Sequence, residues 1–584
     1  MNFNYRSIKL DWELIFTIGL FVFLFIYLII RANTVFYTND EVVTKWAYMV
    51  SWNPIPFSGY IDANNHFINS FLGGLFVRLF NSDAIWIIRL PNILAFPLFF
   101  WSIYNLKVFF QNKINYYWFL TSLTFSAFVI EYFGLARGYG ISMALLLFGL
   151  QQMLLFFKSM RIKSFVLALL TWTFLVYANL TLIPFTLVAF FLFTIFLWKN
   201  KKRWWIIAIA LSMIPVVYAI KYSFYLKEVG KLYYGGQEGF FENTIHSLTP
   251  YLWNSKNLIL DILLILLFLF ILFTFIRNLV LSKNIFELKM IFSLFFVLSV
   301  ANILLQNWVL NINFPEDRAA LYLVIFFFGA ICFTFDYWKV KFVGYPFIVF
   351  TIGLFIYHFN FERSLFYGEE HFDKELLSKI PEEVKGIPTS TGGSMWLMEK
   401  EAIRFYKLPF YSLQQAESPN DTLQDFIVNT YTKRPDILKR YSPVYEDKIS
   451  GIVLFKRKEF LPRKLTSQNT VKIQEGAMYQ NLFVNHVDRA SFLRCKGRLT
   501  NMSMYKEAIM MFEANDTLRN ERIDYYGVSL NQNCPINDKG ELFFDFTFTM
   551  YKYPKNVKII VYLYNPKQDL YGGEMNLDVY EIID

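Results

Sequence analysis

Long, nearly uncharged apolar runs recur through the first 360 residues of this 584-residue chain, and no water-soluble core can bury so many of them. The first, Trp12 to Ile30, is almost unbroken hydrocarbon. A helix of about twenty residues covers the ~30 Å apolar core of a bilayer. The run is too long for the core of a cleaved leader, and no small-residue cleavage site follows it, so it reads as a retained first span. Hydropathy gives about eleven spans: 12–31, 86–109, 115–133, 139–157, 163–178, 181–198, 204–224, 257–276, 288–310, 319–335 and 342–359. Composition agrees, with 55% hydrophobic and 20% aromatic residues against 17% charged. The net charge of +10 is spread over short clusters between the spans and forms no single basic patch, which argues against a nucleic-acid partner.

Those basic clusters orient the chain. With the N-terminus inside, the cytoplasmic loops carry Lys107 and Lys113, Lys158, Arg161 and Lys163, Lys199 to Arg203, Arg277 to Lys289, and Lys339 and Lys341. The opposite loops carry Asp40, Glu41, Asp62, Asp83, Glu238, Glu242, Glu316 and Asp317. An odd number of spans then leaves everything after Asn360 outside the cytoplasm. The expected protein is an α-helical polytopic membrane protein of a bacterial inner membrane, with a periplasmic tail.

Composition changes at about Asn360, dividing a transmembrane domain, 1–360, from the tail. Residues 361–462 read as a small α/β unit, with helical stretches at Lys374–Ile380 and Asp421–Tyr431 and strand-like ones at Ser394–Met398 and Ile452–Lys456. Residues 463–584 read as an antiparallel β-sandwich of jelly-roll type. Phe544, Phe546, Phe548 and Met550 alternate with Asp545, Thr547 and Thr549, and Val557, Ile559, Val561 and Leu563 alternate with Lys558, Ile560, Tyr562 and Tyr564.

Four segments of unusual sequence share the outer side. The first loop holds Asp40-Glu41, Asn64-Asn65-His66 and an amphipathic stretch, Phe67 to Phe80, too short to span. The second is Glu131-Tyr-Phe-Gly-Leu-Ala-Arg137-Gly-Tyr139-Gly. The third is a loop from Tyr225 to Lys256 with Tyr233-Tyr234-Gly-Gly-Gln-Glu-Gly239, glycine-rich enough to be a lid. The fourth is Asn313-Phe-Pro-Glu-Asp-Arg318. Five histidines without clustered spacing argue against zinc, and phosphate-loop and dinucleotide fingerprints are absent. Cys495 and Cys534 share the sandwich, where a disulfide is open.

Together, the Asp-Glu pair after the first span, the outer amphipathic helix, the Arg-Gly-Tyr after the third span and the Pro-Glu-Asp-Arg before a late span resemble the GT-C glycosyltransferases. The branch of protein O-mannosyltransferases and lipid A aminoarabinose transferases is the most similar. The resemblance covers about residues 1–360. Relatives often carry His-Pro-Pro late in the first loop, where this chain has Asn64-Asn65-His66. The Trp-Trp-Asp of asparagine-linked oligosaccharyltransferases is lacking.

The resemblance implies transfer of a sugar from a polyprenyl-phosphate-linked donor to an extracytoplasmic hydroxyl on a glycan, lipid or protein, with inversion. The residues suit that chemistry. A departing phosphate needs no general acid, so one carboxylate suffices as base, unlike the two of a glycosidase. Asp40 takes that role, with Glu41 orienting the acceptor. Arg137 and Arg318 are the candidates for the donor phosphate, with Lys221, Lys227 and Lys231 behind them. Asn65, His66, Tyr139, Tyr233 and Tyr234 are assigned to substrate binding. No metal is assigned, although a pair of carboxylates would suit Mg or Mn. Two other functions stay open: a transporter or flippase of lipid-linked glycans, for which internal repeats and midspan charges are lacking, and a non-catalytic glycan-binding scaffold.

Overall fold

The computed structural model describes residues 12–583 apart from 256, 382–388, 392–394, 407, 409–412, 416–422 and 430–434. It divides into two compact units, one of residues 1–35 and 47–366, the other of residues 36–46 and 367–584.

The first unit is helical. Among the described residues, eight of its helices are long and apolar enough to cross a membrane: Trp12–Thr34, Ile85–Phe109, Tyr139–Ser159, Leu180–Lys199, Arg203–Glu228, Leu258–Ser282, Leu288–Leu310 and Asp317–Tyr337. Their outward faces are hydrocarbon, with Phe16, Phe23 and Ile26 on the first helix and Ile262, Leu266 and Phe273 on Leu258–Ser282 all exposed. Such faces are stable only against lipid.

The count of eleven is not confirmed by helix length, since three of the expected spans are shorter or broken. The expected span at 115–133 is interrupted: Lys113–Thr124 ends at Phe125, and Ser126 caps a new short helix, Ala127–Glu131. Ile162–Ala178 and Gly344–His358 have 17 and 15 residues, or roughly 25 and 22 Å at ~1.5 Å per residue, short of a ~30 Å hydrocarbon core.

Helix Phe67–Phe80 buries a face of small and polar residues, Asn69, Ser70, Gly73, Gly74 and Val77. It exposes Phe71, Leu75 and Leu79, as the amphipathic reading expects, but Phe67, which shares their helical spacing, is buried. A buried pair, Arg31 and Glu131 at 3.8 Å, ties the first helix to the segment after the last one. Arg31 donates to the carbonyls of Asn360 (2.7 Å) and Arg363 (3.1 Å), and Glu131 accepts from the Leu365 amide at 2.9 Å. Each charge is thus met by several partners, which a buried pair requires.

The second unit opens with a mixed sheet of β1 (Thr389–Thr391), β2 (Leu413–Gln415), β3 (Phe426–Asn429), β4 (Tyr441–Glu446) and β5 (Val453–Arg457), in the order β2-β1-β3-β5-β4. β2, β1 and β3 run parallel, and β5 and β4 pair antiparallel. Two expectations are corrected here. The stretch read as helix at Asp421–Tyr431 contains β3, whose Phe426-Ile-Val is buried throughout; Asp421, Thr422, Thr430 and Tyr431 lie outside the described residues. Short buried apolar runs carry no periodicity that separates strand from helix. Conversely, Ser394–Met398, read as strand, opens the helix Met395–Phe405, rich in Met, Leu, Glu, Lys and Ala; Ser394 lies outside the described residues.

The rest is an eight-stranded sandwich of β6 (Arg463–Ile473), β7 (Tyr479–Asn485), β8 (Ser491–Thr500), β9 (Ile509–Asp516), β10 (Glu521–Ser529), β11 (Leu542–Met550), β12 (Val557–Tyr564) and β13 (Gly572–Ile582). One sheet runs β10-β9-β12-β7 and the other β11-β8-β13-β6. That order is the double Greek key of a jelly roll. Phe544, Phe546, Phe548 and Met550 face its core with Val557, Ile559, Val561 and Leu563, as their alternation requires. Cys495 and Cys534 are both buried and free, so no disulfide joins them.

Candidate active site

In the first unit, Arg137-Gly138-Tyr139 is set by a ladder of buried amides. Asn69 donates to the Ala136 carbonyl (3.0 Å), Asn92 donates to Asn69 Oδ1 (2.7 Å), and Asn92 Oδ1 accepts from the Ile141 amide (3.2 Å). Three helices, Phe67–Phe80, Ile85–Leu106 and Tyr139–Ser159, thereby hold one turn in place. Gly138 is obligatory there, because a Cβ would lie 2.4 Å from His66 Cβ and 2.7 Å from the Ala178 carbonyl oxygen.

Arg137 is buried. It donates to Asn64 Oδ1, and its guanidinium lies 5.7 Å from the Tyr139 ring centre. His66 meets the same ring edge-on at 4.8 Å, with its Nδ1 2.9 Å from the Ala178 carbonyl. Asn65 Oδ1 accepts from Ser70 Oγ at 2.8 Å, which commits it to the start of helix Phe67–Phe80.

Asp62 folds the preceding turn. It is buried, accepts from the Asn64 amide at 2.9 Å and lies 3.8 Å from Lys231, whose ammonium sits over Tyr60 at 5.6 Å. Burial, and then the charge of Asp62, push the Tyr48 phenol well above its ordinary range, with Arg137 opposing them. The Tyr48 hydroxyl is buried with no hydrogen-bond partner among the described residues.

The Tyr233–Gly239 loop is stapled to the loop bearing Arg318. Gly236 and Phe314 exchange backbone hydrogen bonds at 3.3 and 2.8 Å. Asn313 donates to the carbonyls of Tyr233 and Gly235, both at 3.0 Å, and accepts from Gln237 at 3.0 Å. Gly235 has φ +100°, and a Cβ there would lie 2.3 Å from the Phe314 oxygen. Thr244 bonds the Pro315 carbonyl (2.8 Å), Ser247 Oγ accepts from the Asp317 amide (3.0 Å), and Asn243 donates to Glu316.

Arg318 lies flat against this structure. Its guanidinium is 4.2 Å from the Tyr234 ring centre and 5.4 Å from that of Phe366, and it donates to Tyr234 Oη at 3.0 Å. Desolvation pushes the Tyr234 phenol upward, against the pull of Arg318; Asp317 and Tyr139 add to the rise. Arg137 and His66 thus meet the Tyr139 ring, and Arg318 meets the Tyr234 ring. Two guanidiniums, each beside a phenol, are a set suited to phosphate oxygens. Tyr233 contributes its carbonyl to the staple and exposes its ring. Lys221 and Lys227 are exposed on helix Ile206–Glu228, with Lys227 donating to the Leu310 carbonyl.

Asp40 and Glu41 belong to the second unit. They sit in a six-residue helix, Asn39–Thr44, closed by a capping box. The Glu41 amide donates to Thr38 Oγ1 (3.3 Å), and Glu41 Oε2 accepts from the Thr38 amide (3.0 Å). Glu41 is fully buried in this role, while Asp40 is half-buried. Thr38-Asn-Asp-Glu41 is the S/T-x-x-E signature of such a cap. That signal was in the sequence, as was Asn64; Asp62 and Tyr48 had none. Among the described residues no three His, Cys, Asp or Glu side chains gather as metal ligands.

No family model matches the chain, and no curated protein sequence does. Nine solved chains match it in structure. ArnT from Cupriavidus metallidurans, bound to undecaprenyl phosphate, is 10% identical over 76% of this chain and 97% of its own, with a TM-score of 0.36. The same protein in its apo state gives 10% and 0.35 over equal shares. Arabinosyltransferase EmbB from Mycobacterium smegmatis is 12% identical over 97% of this chain and 64% of its own, with a TM-score of 0.34. These are GT-C membrane glycosyltransferases, the group that the sequence motifs resemble. At this depth of similarity they carry no argument for a function, which must come from the residues.

Proposed function

We propose that this protein is an integral-membrane glycosyltransferase that moves a sugar from a polyprenyl-phosphate-linked donor to an acceptor hydroxyl outside the cytoplasm. The observation that carries the reading is a pair of guanidiniums each set beside a tyrosine, Arg137 at Tyr139 and Arg318 at Tyr234, in a unit of apolar helices. A soluble anion would not require eight membrane-length helices; a lipid phosphate would.

In the reaction, the acceptor oxygen forms a bond to the anomeric carbon as the bond from that carbon to the phosphate oxygen breaks. The electron pair leaves on the phosphate, whose negative charge grows by one. Arg137 and Arg318 stabilise that charge through guanidinium hydrogen bonds, and Tyr139 and Tyr234 position their planes. Asp40 accepts the hydroxyl proton. Glu41 keeps Asp40 in place through the cap and leaves the acceptor to other groups. His66 holds the Tyr139 ring and Lys231 pairs with Asp62. A single displacement inverts the anomeric centre.

Purified protein in lipid nanodiscs, supplied with a panel of polyprenyl-phosphate sugars and hydroxyl acceptors, should release polyprenyl phosphate in step with product. Transbilayer movement of a lipid-linked glycan without turnover would make the protein a flippase. Glycan binding without either would make it a scaffold.

A further inference from the structure

The segment carrying Asp40 is folded into the same compact unit as the tail. A six-residue helix has no independent stability, so its register is set by what anchors it. At its N-terminal end, the Asn39 amide donates to Glu370 at 2.6 Å. Just before it, Phe36 stacks on Tyr406 (5.8 Å, 10°) and meets Phe405 edge-on at 5.5 Å. Just after it, one carboxylate takes both remaining anchors. Glu401 accepts from Lys45 Nζ at 2.8 Å and from Trp46 Nε1 at 2.5 Å. Lys45 and Glu401 are both almost wholly buried. Glu401 lies on helix Met395–Phe405, and one turn further along Arg404 donates to the carbonyls of Asn531 and Gln532 at 3.0 and 3.2 Å.

We infer that Glu401 is a positioning residue for the transfer reaction: through Lys45 and Trp46 it fixes the helix on which Asp40 stands, making the tail a working part of the catalytic apparatus. This rests on the reading of Asp40 as the base. A buried carboxylate holding two donors from consecutive residues fixes both the rotation and the height of a helix end. A surface ion pair would not, because it is screened and mobile. The arrangement is costly to bury and is satisfied only in one geometry, the property expected of a device for register.

The test uses full-length protein in nanodiscs, with turnover and polyprenyl-phosphate binding measured side by side. Glu401→Ala should lower kcat by about 30- to 100-fold, the scale of a misplacement near 1 Å. The donor KM and polyprenyl-phosphate affinity should stay within about twofold, because the arginine cluster is not among the groups Glu401 holds. The reversal Lys45→Glu with Glu401→Lys should recover part of kcat, because the ion pair returns while the Trp46 N–H still lacks its acceptor. An unchanged kcat in Glu401→Ala overturns the inference. So does a loss in folded protein in which KM and donor binding fail together and the reversal restores nothing, since the damage is then not confined to the Asp40 helix. Should Glu401→Ala not fold, Trp46→Phe decides: it removes the indole N–H donor while keeping an aromatic ring, and a wild-type kcat refutes the role. Asp40→Asn runs in parallel. If it turns over normally, the base assignment falls and takes this inference with it. If it is inactive while Glu401→Ala keeps full rate, only the inference falls.

Discussion

Arg137→Ala separates a phosphate-binding guanidinium from a structural one. Arg137 is 2% exposed, with the amide of Asn64 and the ring of Tyr139 beside it. In such surroundings each hydrogen bond to an anionic oxygen is worth about 1.5–3 kcal/mol, and a fork makes two. Allowing for solvent reaching the alanine variant, the expected loss is about 3–4 kcal/mol, or roughly 100- to 1,000-fold in polyprenyl-phosphate affinity. Arg137→Lys keeps the charge but only one point of contact, so it should recover about half of that free energy. Asn64→Ala removes the partner that aims the guanidinium and should cost about tenfold. The assay is titration of detergent-solubilised protein with polyprenyl phosphate, followed by thermal shift, with melting of the lipid-free variants as the control. Full substitution by Lys, or wild-type affinity in Arg137→Ala with an unchanged melting midpoint, would refute the argument.

Asp40→Asn should preserve folding and donor binding and lower turnover by about 10²- to 10⁴-fold in steady-state assays. Glu41→Gln keeps an acceptor for the Thr38 amide and should retain most activity, whereas Glu41→Ala should lower the melting midpoint through loss of the cap, worth about 0.5–2 kcal/mol. Asn313→Ala removes three bonds between the Tyr233 and Arg318 loops, so amide exchange at residues 233–239 should accelerate and the donor KM should rise; unchanged exchange would mean that the loops do not depend on one another. Cysteines introduced at the exposed Ser51 and Ser378 should both react with an impermeant thiol reagent in intact cells, since the native cysteines are buried; labelling at only one would overturn the orientation.

The long spans and the jelly roll were legible because each repeats one rule many times, hydrocarbon length in one case and period-two alternation in the other. The span at 115–133 misled because hydropathy is blind to Ser126 capping the Val129 amide in the middle of an apolar run. The α/β region misled for a related reason: a four-residue buried strand such as Phe426–Asn429 has no solvent face to mark its period. In the site, Arg137, Arg318, Tyr139 and Tyr234 could be picked out as charged or aromatic groups in outer loops. Their partners could not, because Asn69, Asn92 and Asp62 act through contacts across 20 to 170 positions of sequence, on the order of the separations that local patterns never encode. Glu41 was overvalued for its charge; the threonine three positions earlier already claimed it.

The staple between Gly236 and Phe314 turns what looked like a free flap into half of a hinged plate. Tyr234 cannot swing away without dragging the strand that leads into Arg318, so aromatic cover and positive charge must arrive and depart as one body. A spent polyprenyl phosphate would then lose its shelter and its counterion in the same movement. Exit would be sudden, and a partly open enzyme would hold nothing.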